Sequence, residues 1–242
     1  MVSKRQIIQD PFLSIIMPAY NEIGTIEEIV SRVKQSPFRK ELIIVDDCST
    51  DGTSEFLKTL AARADPEIRV VHHKVNQGKG AALRTGFSSI SPTSNITIIQ
   101  DADLEYDPED YCGLIEPITR GDADVVYGSR FSGAHQATMF WHMIANKMLT
   151  LLTNVLYNTI LTDMETGYKA FNSNVVRKLL PNLKANRFDF EPEITAKVLK
   201  NHYRVFEVPI RYAFRPYEEG KKIGMKDAFA AVFALLRYRI TD

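Results

Sequence analysis

"LIIVDDCSTDGT", residues 42–53, passes from an apolar run through paired acids to a helix start. Residues 42–45 read as a strand buried on both faces, since four successive apolar residues leave no polar side for water. Asp46 and Asp47 close that strand. Asp51 or Thr53 then reads as the cap of the helix in "GTSEFLKTLAARA", where a side-chain oxygen satisfies a free backbone N–H. The same order recurs along the chain. "LSIIM" (13–17), "IRVVHH" (68–73), "ITIIQ" (96–100) and "ADVVYG" (123–128) read as strands. "TIEEIVSRVKQ", "GKGAALRTGFSSI" and "PEDYCGLIEPITRG" read as the intervening helices. Strand–helix alternation predicts an α/β fold with a Rossmann-like, doubly wound, mostly parallel sheet. Ligands of such sheets bind beyond the carboxyl ends of the strands. The polar endings "PAYNE", "DDCSTDGT", "NQGKG" and "DADLE" are therefore expected on one edge.

After residue 130 the rhythm changes. A helical stretch over about 138–158 precedes "LTDMETGYKAFN", the helical "FDFEPEITAKVLK", a strand-like "YRVFEVPIRYAF", the polar loop "RPYEEGKKIG" (215–224) and a last helix, "MKDAFAAVFALLRYRI". No internal repeat or linker divides the chain. One domain over 1–242 is expected, with a nucleotide-binding half at about 12–130 and an acceptor half at about 131–242.

The 242 residues are 45% hydrophobic and 25% charged, ordinary for one globular domain. With 30 basic and 30 acidic residues the formal net charge is zero, so no global field gathers nucleic acid. Cys48 and Cys112 have no metal-ligand spacing and suggest no disulfide framework, which fits a reducing cytoplasm. The N-terminus lacks a signal-peptide core. The greasiest stretch, 139–161, is interrupted by His142, Asn146, Lys147, Asn154 and Asn158, whereas spanning a bilayer takes about 20 mostly apolar residues.

"DADLEYDPED" (101–110) crowds six acids after an apolar run. Asp101, Asp103 and Glu105 alternate, which on extended backbone points them to one side. Such oxygens suit Mg²⁺ or Mn²⁺, which complete their shells with water and substrate phosphate. Asp107, Pro108, Glu109 and Asp110 instead read as an N-cap, an N1 proline and an acidic first turn. In "PAYNE", Tyr20 could stack on a base and Glu22 accept from one, while Asn21 or Thr25 could simply cap a helix. One of Asp46 and Asp47 is a candidate for ribose or base. "NQGKGAALRTGF" departs from the P-loop pattern; Gly78 and Gly80 permit close backbone approach, and Lys79 reads equally as a phosphate contact or a solvated cap. The absence of G-x-G-x-x-G after the first strand argues against a dinucleotide oxidoreductase.

Taken in order, "LSIIMPAYNE", "IIVDDCSTDGT", "NQGKGAALRTGF", "DADLEYDPE" and "VVYGSRF" resemble glycosyltransferase family 2, inverting enzymes of GT-A fold. "LTDMETGYKAF" and "RPYEEGKKIG" are similar to the dolichol-phosphate mannosyltransferase and polyprenyl-phosphate branch. The resemblance implies a nucleoside diphosphate sugar donor of the GDP-mannose or UDP-glucose type. It would be held by Pro18, Ala19, Tyr20, Glu22 and Asp47, with Asp46 nearby and Asp101 and Ala102 beside the sugar. It also implies a divalent metal on Asp103, with Glu105 as a further oxygen ligand. Arg130 would face phosphate on the acceptor side, and Arg215 and Lys221 would close over the donor diphosphate. His142 and Asn146 depart from the Arg and Ser implied for lipid phosphate, a charge Lys147 could supply.

A phosphate acceptor is already anionic at neutral pH and needs no base, whereas a hydroxyl acceptor needs one. Glu191 in "RFDFEPEITAK", flanked by Asp189 and Glu193, is the candidate base. The alternative makes Glu191 and Glu193 first-turn helix residues. A catalytically silent nucleotide-sugar-binding protein is the third reading. The last helix, 225–239, is a core helix or a membrane-surface helix with basic ends. A polyprenyl-phosphate acceptor, a cytoplasmic membrane face and a membrane-protein partner complete what the resemblance implies.

Overall fold

The computed structural model describes residues 7–134, 136, 140–214 and 225–241. Seven strands form one sheet: β1 (Leu13–Ala19), β2 (Lys40–Asp46), β3 (Ile68–His72), β4 (Ile96–Ile99), β5 (Val125–Ser129), β6 (Lys169–Asn172) and β7 (Val205–Pro209). Their spatial order is β3-β2-β1-β4-β6-β5-β7. β2, β1 and β4 carry wholly buried side chains, as the apolar runs at their centres lead one to expect. All pairings are parallel except those of β6, which lies antiparallel to both β4 and β5. The segment "YKAF" thus contributes a central strand that its short, lysine-containing run did not reveal. The C-terminal half supplies two strands of the sheet as well as helices.

Helices cover both faces. α1 (Ile26–Gln35), α2 (Thr53–Ala62) and α4 (Tyr111–Thr119) pack on one, with Ile26, Ile29, Val33, Leu57 and Leu114 in a core shared with β1 and β2. The i, i+3, i+7 spacing of the three α1 residues sets that buried stripe. α3 (Lys79–Ser88), α5 (Phe140–Tyr157), α6 (Ser173–Leu179), α7 (Phe190–Lys200) and α8 (Met225–Ile240) enclose the second core around Phe87, Phe171, Phe190 and Ile194. α8 buries Ala231, Ala234, Leu235 and Tyr238 and exposes Phe233, Leu236 and Ile240, so one side of it is core. Among the described residues no helix is long and apolar enough to cross a membrane.

The in-register pairing of Ala19 with Asp46 brings the first two polar endings side by side. Because β3, β2, β1, β4 and β5 run the same way, the loops after them share one edge.

Candidate active site

The edge is built first by sewing "PAYNE" to "DDCSTDGT". Asn21 takes a left-handed conformation (φ 56°), and its N–H donates to Ser49 Oγ at 3.0 Å. Thr50 N–H donates back to Asn21 Oδ1 at 2.8 Å, and Glu22 N–H to Thr53 Oγ1 at 2.9 Å. Thr25 Oγ1 donates to Glu22 Oε2 at 3.1 Å instead of capping α1. Gly52 (φ 103°), not Asp51 or Thr53, holds the N-cap position of α2, and Asp51, one residue before it, accepts from Thr53 N–H at 3.0 Å. Pro18 and Ala19 end β1 in the buried sheet, and Tyr20 and Glu22 lie half-buried at its lip.

Asp46 and Asp47 are both buried, and both are engaged by the protein itself. Asp46 accepts from Ser49 N–H at 3.0 Å, from Ser54 Oγ, and pairs with His72 Nδ1 at 2.9 Å. Burial pushes its pKa up, but these hydrogen bonds outweigh burial and hold the carboxyl below the ordinary range. Asp47 accepts from Gln77 N–H at 2.9 Å and Gly78 N–H at 2.7 Å, and pairs with His73 Nδ1 at 2.7 Å. The first amides of the glycine-rich loop therefore cradle this chain's own carboxylate. Gly78 (φ 97°) is required for a further reason: a Cβ there would stand 2.4 Å from the carbonyl oxygen of Asn186. Gly80 likewise lies against Ala185. The close approach these glycines allow is to the segment that leads into α7.

That packing carries Lys79 and Glu191 to the end of β4. Lys79 Nζ lies 2.8 Å from both oxygens of Asp101 and 3.9 Å from Glu191 Oε1. Burial works against its charge, yet the Asp101 and Glu191 carboxylates outweigh burial and keep its pKa above the usual lysine value. Glu191 Oε2 pairs with Lys169, a wholly buried lysine whose ammonium also donates to the carbonyls of Met164 and Thr166. Glu165 is nearby: burial first, then the charge of Glu191, pushes its pKa up to about 7. Gly167 closes the group, because a Cβ there would meet Asp101 Oδ2 at 2.6 Å and Lys79 Nζ at 3.1 Å. Lys169, Glu165 and Gly167 were not singled out from sequence. Their signal was "ETGYK" itself, unreadable until β6 placed it beside β4.

The acidic stretch at 101–105 is a turn and not extended backbone, so the expected alternation of Asp101, Asp103 and Glu105 on one side does not hold. Asp103 Oδ1 accepts from Glu105 N–H at 3.1 Å, with Leu104 left-handed between them (φ 62°). Glu105 Oε2 accepts from Tyr212 O–H at 2.7 Å, and its carbonyl from Ala213 N–H at 3.0 Å. Tyr106 bridges Tyr212, so the chain at 212–213 runs beside Glu105. Arg215 and Lys221 lie outside the described residues. Asp107 caps a short 3₁₀ turn, accepting from Glu109 N–H at 2.9 Å with Pro108 in its first turn. Glu109 and Asp110 do more than polarise that turn: Arg211 reaches them at 2.6 and 3.0 Å.

Arg130 leaves β5 in a fork onto Asp163, with Nε–Oδ2 and Nη2–Oδ1 both at 2.7 Å. Burial raises the pKa of Asp163, and Arg130 outweighs it and holds the acid below the ordinary carboxylate range. Asn146 Nδ2 donates to the same carboxylate at 3.1 Å, and Lys147 Nζ to the carbonyl of Thr162 at 2.9 Å. Asn146, Lys147 and Arg130 thus gather around residues 162–163. The outer face of α5 carries Trp141, Met148, Leu151 and Val155, all more than 60% exposed.

Among the described residues no three His, Cys, Asp or Glu side chains form a complete ion cage. Mg²⁺ and Mn²⁺ held by one or two carboxylates and a substrate diphosphate need no such cage. Asp103, in the turn that follows β4, carries carboxylate oxygens of the kind such ions take.

The family model for glycosyl transferase family 2 matches residues 14–180. The undecaprenyl-phosphate mannosyltransferase of Micrococcus luteus is 29% identical over 215 residues, 86% of this chain and 86% of its own. The UDP-N-acetylglucosamine–dolichyl-phosphate N-acetylglucosaminyltransferase of Methanococcus voltae is 26% identical, across 96% of this chain and 97% of its own. Among solved structures, glucosyl-3-phosphoglycerate synthase from Mycobacterium tuberculosis, in complex with Mn²⁺, UDP and glucosyl-3-phosphoglycerate, superposes with a TM-score of 0.72. It is 20% identical, and the match covers 97% of this chain and 81% of that one. The fold is GT-A.

Proposed function

The chain belongs to glycosyl transferase family 2, and from that premise we propose that it is an inverting, metal-dependent hexosyltransferase with a polyprenyl-phosphate acceptor. That it is a glycosyltransferase follows from the family and its relatives. The observation that carries the choice of acceptor is the burial of Glu191. Its carboxylate pairs with a wholly buried lysine and opens towards Lys79, so it lacks the free access to an incoming hydroxyl that a general base needs. A phosphate oxygen, anionic at neutral pH, needs no such help.

In this reading the donor lies across the carboxyl edge of β1, β2 and β4. Tyr20 and Glu22 face the base, and Asp46 and Asp47 hold the floor beneath the ribose by fixing the loops they bind. Asp103 would hold Mg²⁺ or Mn²⁺, with Asp101 and Glu105 beside it; the ion supplies charge to the departing diphosphate. The basic loop carrying Arg215 and Lys221 would add to that charge. The acceptor oxygen forms its bond to the anomeric carbon from the opposite face. The bond to the diphosphate breaks with its electron pair, inverting the centre. Arg130, oriented by Asp163, with Lys147 alongside, would receive the acceptor phosphate. The exposed apolar face of α5 supports a peripheral position on a membrane that holds the polyprenyl chain.

The test is a panel of GDP- and UDP-sugars with polyprenyl phosphate and Mg²⁺ or Mn²⁺, scored by lipid-linked product. A hydroxyl acceptor with Glu191 as base would show instead as transfer only to sugars. Loss of turnover by orders of magnitude in Glu191→Gln, with donor binding intact, would support that outcome.

A further inference from the structure

We propose that Lys79 is a positioning residue that neutralises Asp101 until a divalent cation binds at neighbouring Asp103, and that Glu191 is the station to which it would then move. This rests on the metal-dependent reading above.

Three features of the structure support the two positions. The first is occupancy. The Lys79 ammonium lies 2.8 Å from both Asp101 oxygens, so it already neutralises the strand-end carboxylate that a metal at Asp103 would adjoin. The second is a vacant acceptor. Glu191 has a side chain only 7% exposed, and its Oε1 is buried without a hydrogen bond, while Oε2 is engaged by Lys169. A buried carboxylate oxygen left unpaired is costly, so such groups are nearly always satisfied. The third is reach. Oε1 is 3.9 Å from Lys79 Nζ, so a movement of about 1 Å makes a hydrogen bond of ordinary length. A lysine end is a compact charge on a flexible stem, suited to that swing. Gly167 leaves room beside Nζ and Asp101 Oδ2 where any side chain would wedge.

The charges make the exchange directional. Asp101 and Glu191 carry two negative charges, and Lys79 and Lys169 carry two positive ones. A divalent cation held at Asp103 would repel a nearby ammonium on Asp101. Without Glu191 the displaced ammonium would have no buried partner; with it, the ion pair is re-formed about 1 Å away. Glu191 thus serves neither as a base nor only as a counter-ion for Lys169. It makes the metal site accessible by receiving the cation that guards it.

The test is Mn²⁺ binding to the full chain, read from the loss of the free-ion electron paramagnetic resonance signal, without nucleotide and then with GDP or UDP. Lys79→Met is expected to tighten Mn²⁺ by roughly tenfold, a coupling within the usual range for contacting residues. Glu191→Gln is expected to weaken Mn²⁺ by roughly tenfold while Lys79 is present, and by less than about threefold in the Lys79→Met background. Mn²⁺ affinity unchanged or lowered by Lys79→Met overturns the proposal. So does an equal effect of Glu191→Gln in both backgrounds, which would be plain charge removal. Should Glu191→Gln fail to fold, Glu191→Asp keeps a charge for Lys169 but withdraws Oε1 from Nζ, and is expected to show the same dependence on Lys79. Failure of the underlying metal reading looks different. In that case no variant, nor the parent chain, binds Mn²⁺ with or without nucleotide, and Asp103→Ala changes nothing.

Discussion

Adding one methyl group at position 167 is expected to cost the site more than the fold. In Gly167→Ala the new carbon would stand 2.6 Å from Asp101 Oδ2, where ordinary contact begins near 3.4 Å. Asp101 must therefore retreat by about 0.8 Å, the difference between those distances, and Lys79 Nζ, at 3.1 Å from the same carbon, must yield with it. The backbone at 167 is not left-handed, so the alanine itself carries no conformational penalty. A misplacement near 1 Å at a reacting centre can cost about 100-fold. The prediction is a fall in kcat/KM of about 10- to 100-fold with a melting temperature close to that of the parent chain. The assay is release of nucleoside diphosphate under saturating polyprenyl phosphate, alongside thermal unfolding. Full activity in a folded Gly167→Ala would refute the reasoning, because it would show that the position of the Asp101 carboxylate does not matter to the donor site.

Asp103→Ala is expected to abolish metal-dependent turnover with the fold intact. Glu109→Ala should be nearly silent in turnover and cost at most about 1 kcal/mol in urea unfolding, since its pair with Arg211 is exposed. Lys169→Met leaves Glu191 buried without its partner, so a loss of about 3–5 kcal/mol in the same unfolding assay is expected; a loss below 1 kcal/mol would mean the pair is not buried as described. Glu165 binds a proton in the folded chain up to about pH 7, against 4.5 for the free group. Between those values the folded state holds a proton the unfolded state has released, so stability falls as pH rises through that window. The shift corresponds to about 3 kcal/mol, and Glu165→Gln should flatten that slope in unfolding measured from pH 4 to 8.

What could be read from residues alone was local. Four strand endings on one edge follow from apolar runs broken by capped helix starts, and Asp107 caps its turn as its spacing required. What escaped depends on contacts between distant segments. β6 is hidden because "YKAF" carries a lysine at a wholly buried position, where Glu191 from α7 and the carbonyls of Met164 and Thr166 receive its ammonium. The glycines of "NQGKG" look like a phosphate loop, yet the segment at 185–187 and the carboxylate of Asp47 occupy that space. Arg130 was legible as a cation at a strand end, but its fork onto Asp163 spans 33 residues and has no periodic trace. Gly167 matters only because Asp101 and Lys79 meet against it.

The transfer reaction itself is the most direct measurement: the intact chain, Mn²⁺, a panel of GDP- and UDP-sugars, and polyprenyl phosphate in detergent, with the lipid product identified by mass. The account predicts a hexosyl phosphoryl polyprenol of inverted anomeric configuration, formed with one donor class and lost on chelation of the metal. Transfer to a sugar hydroxyl with no lipid product, or undiminished transfer in the chelator, would contradict it.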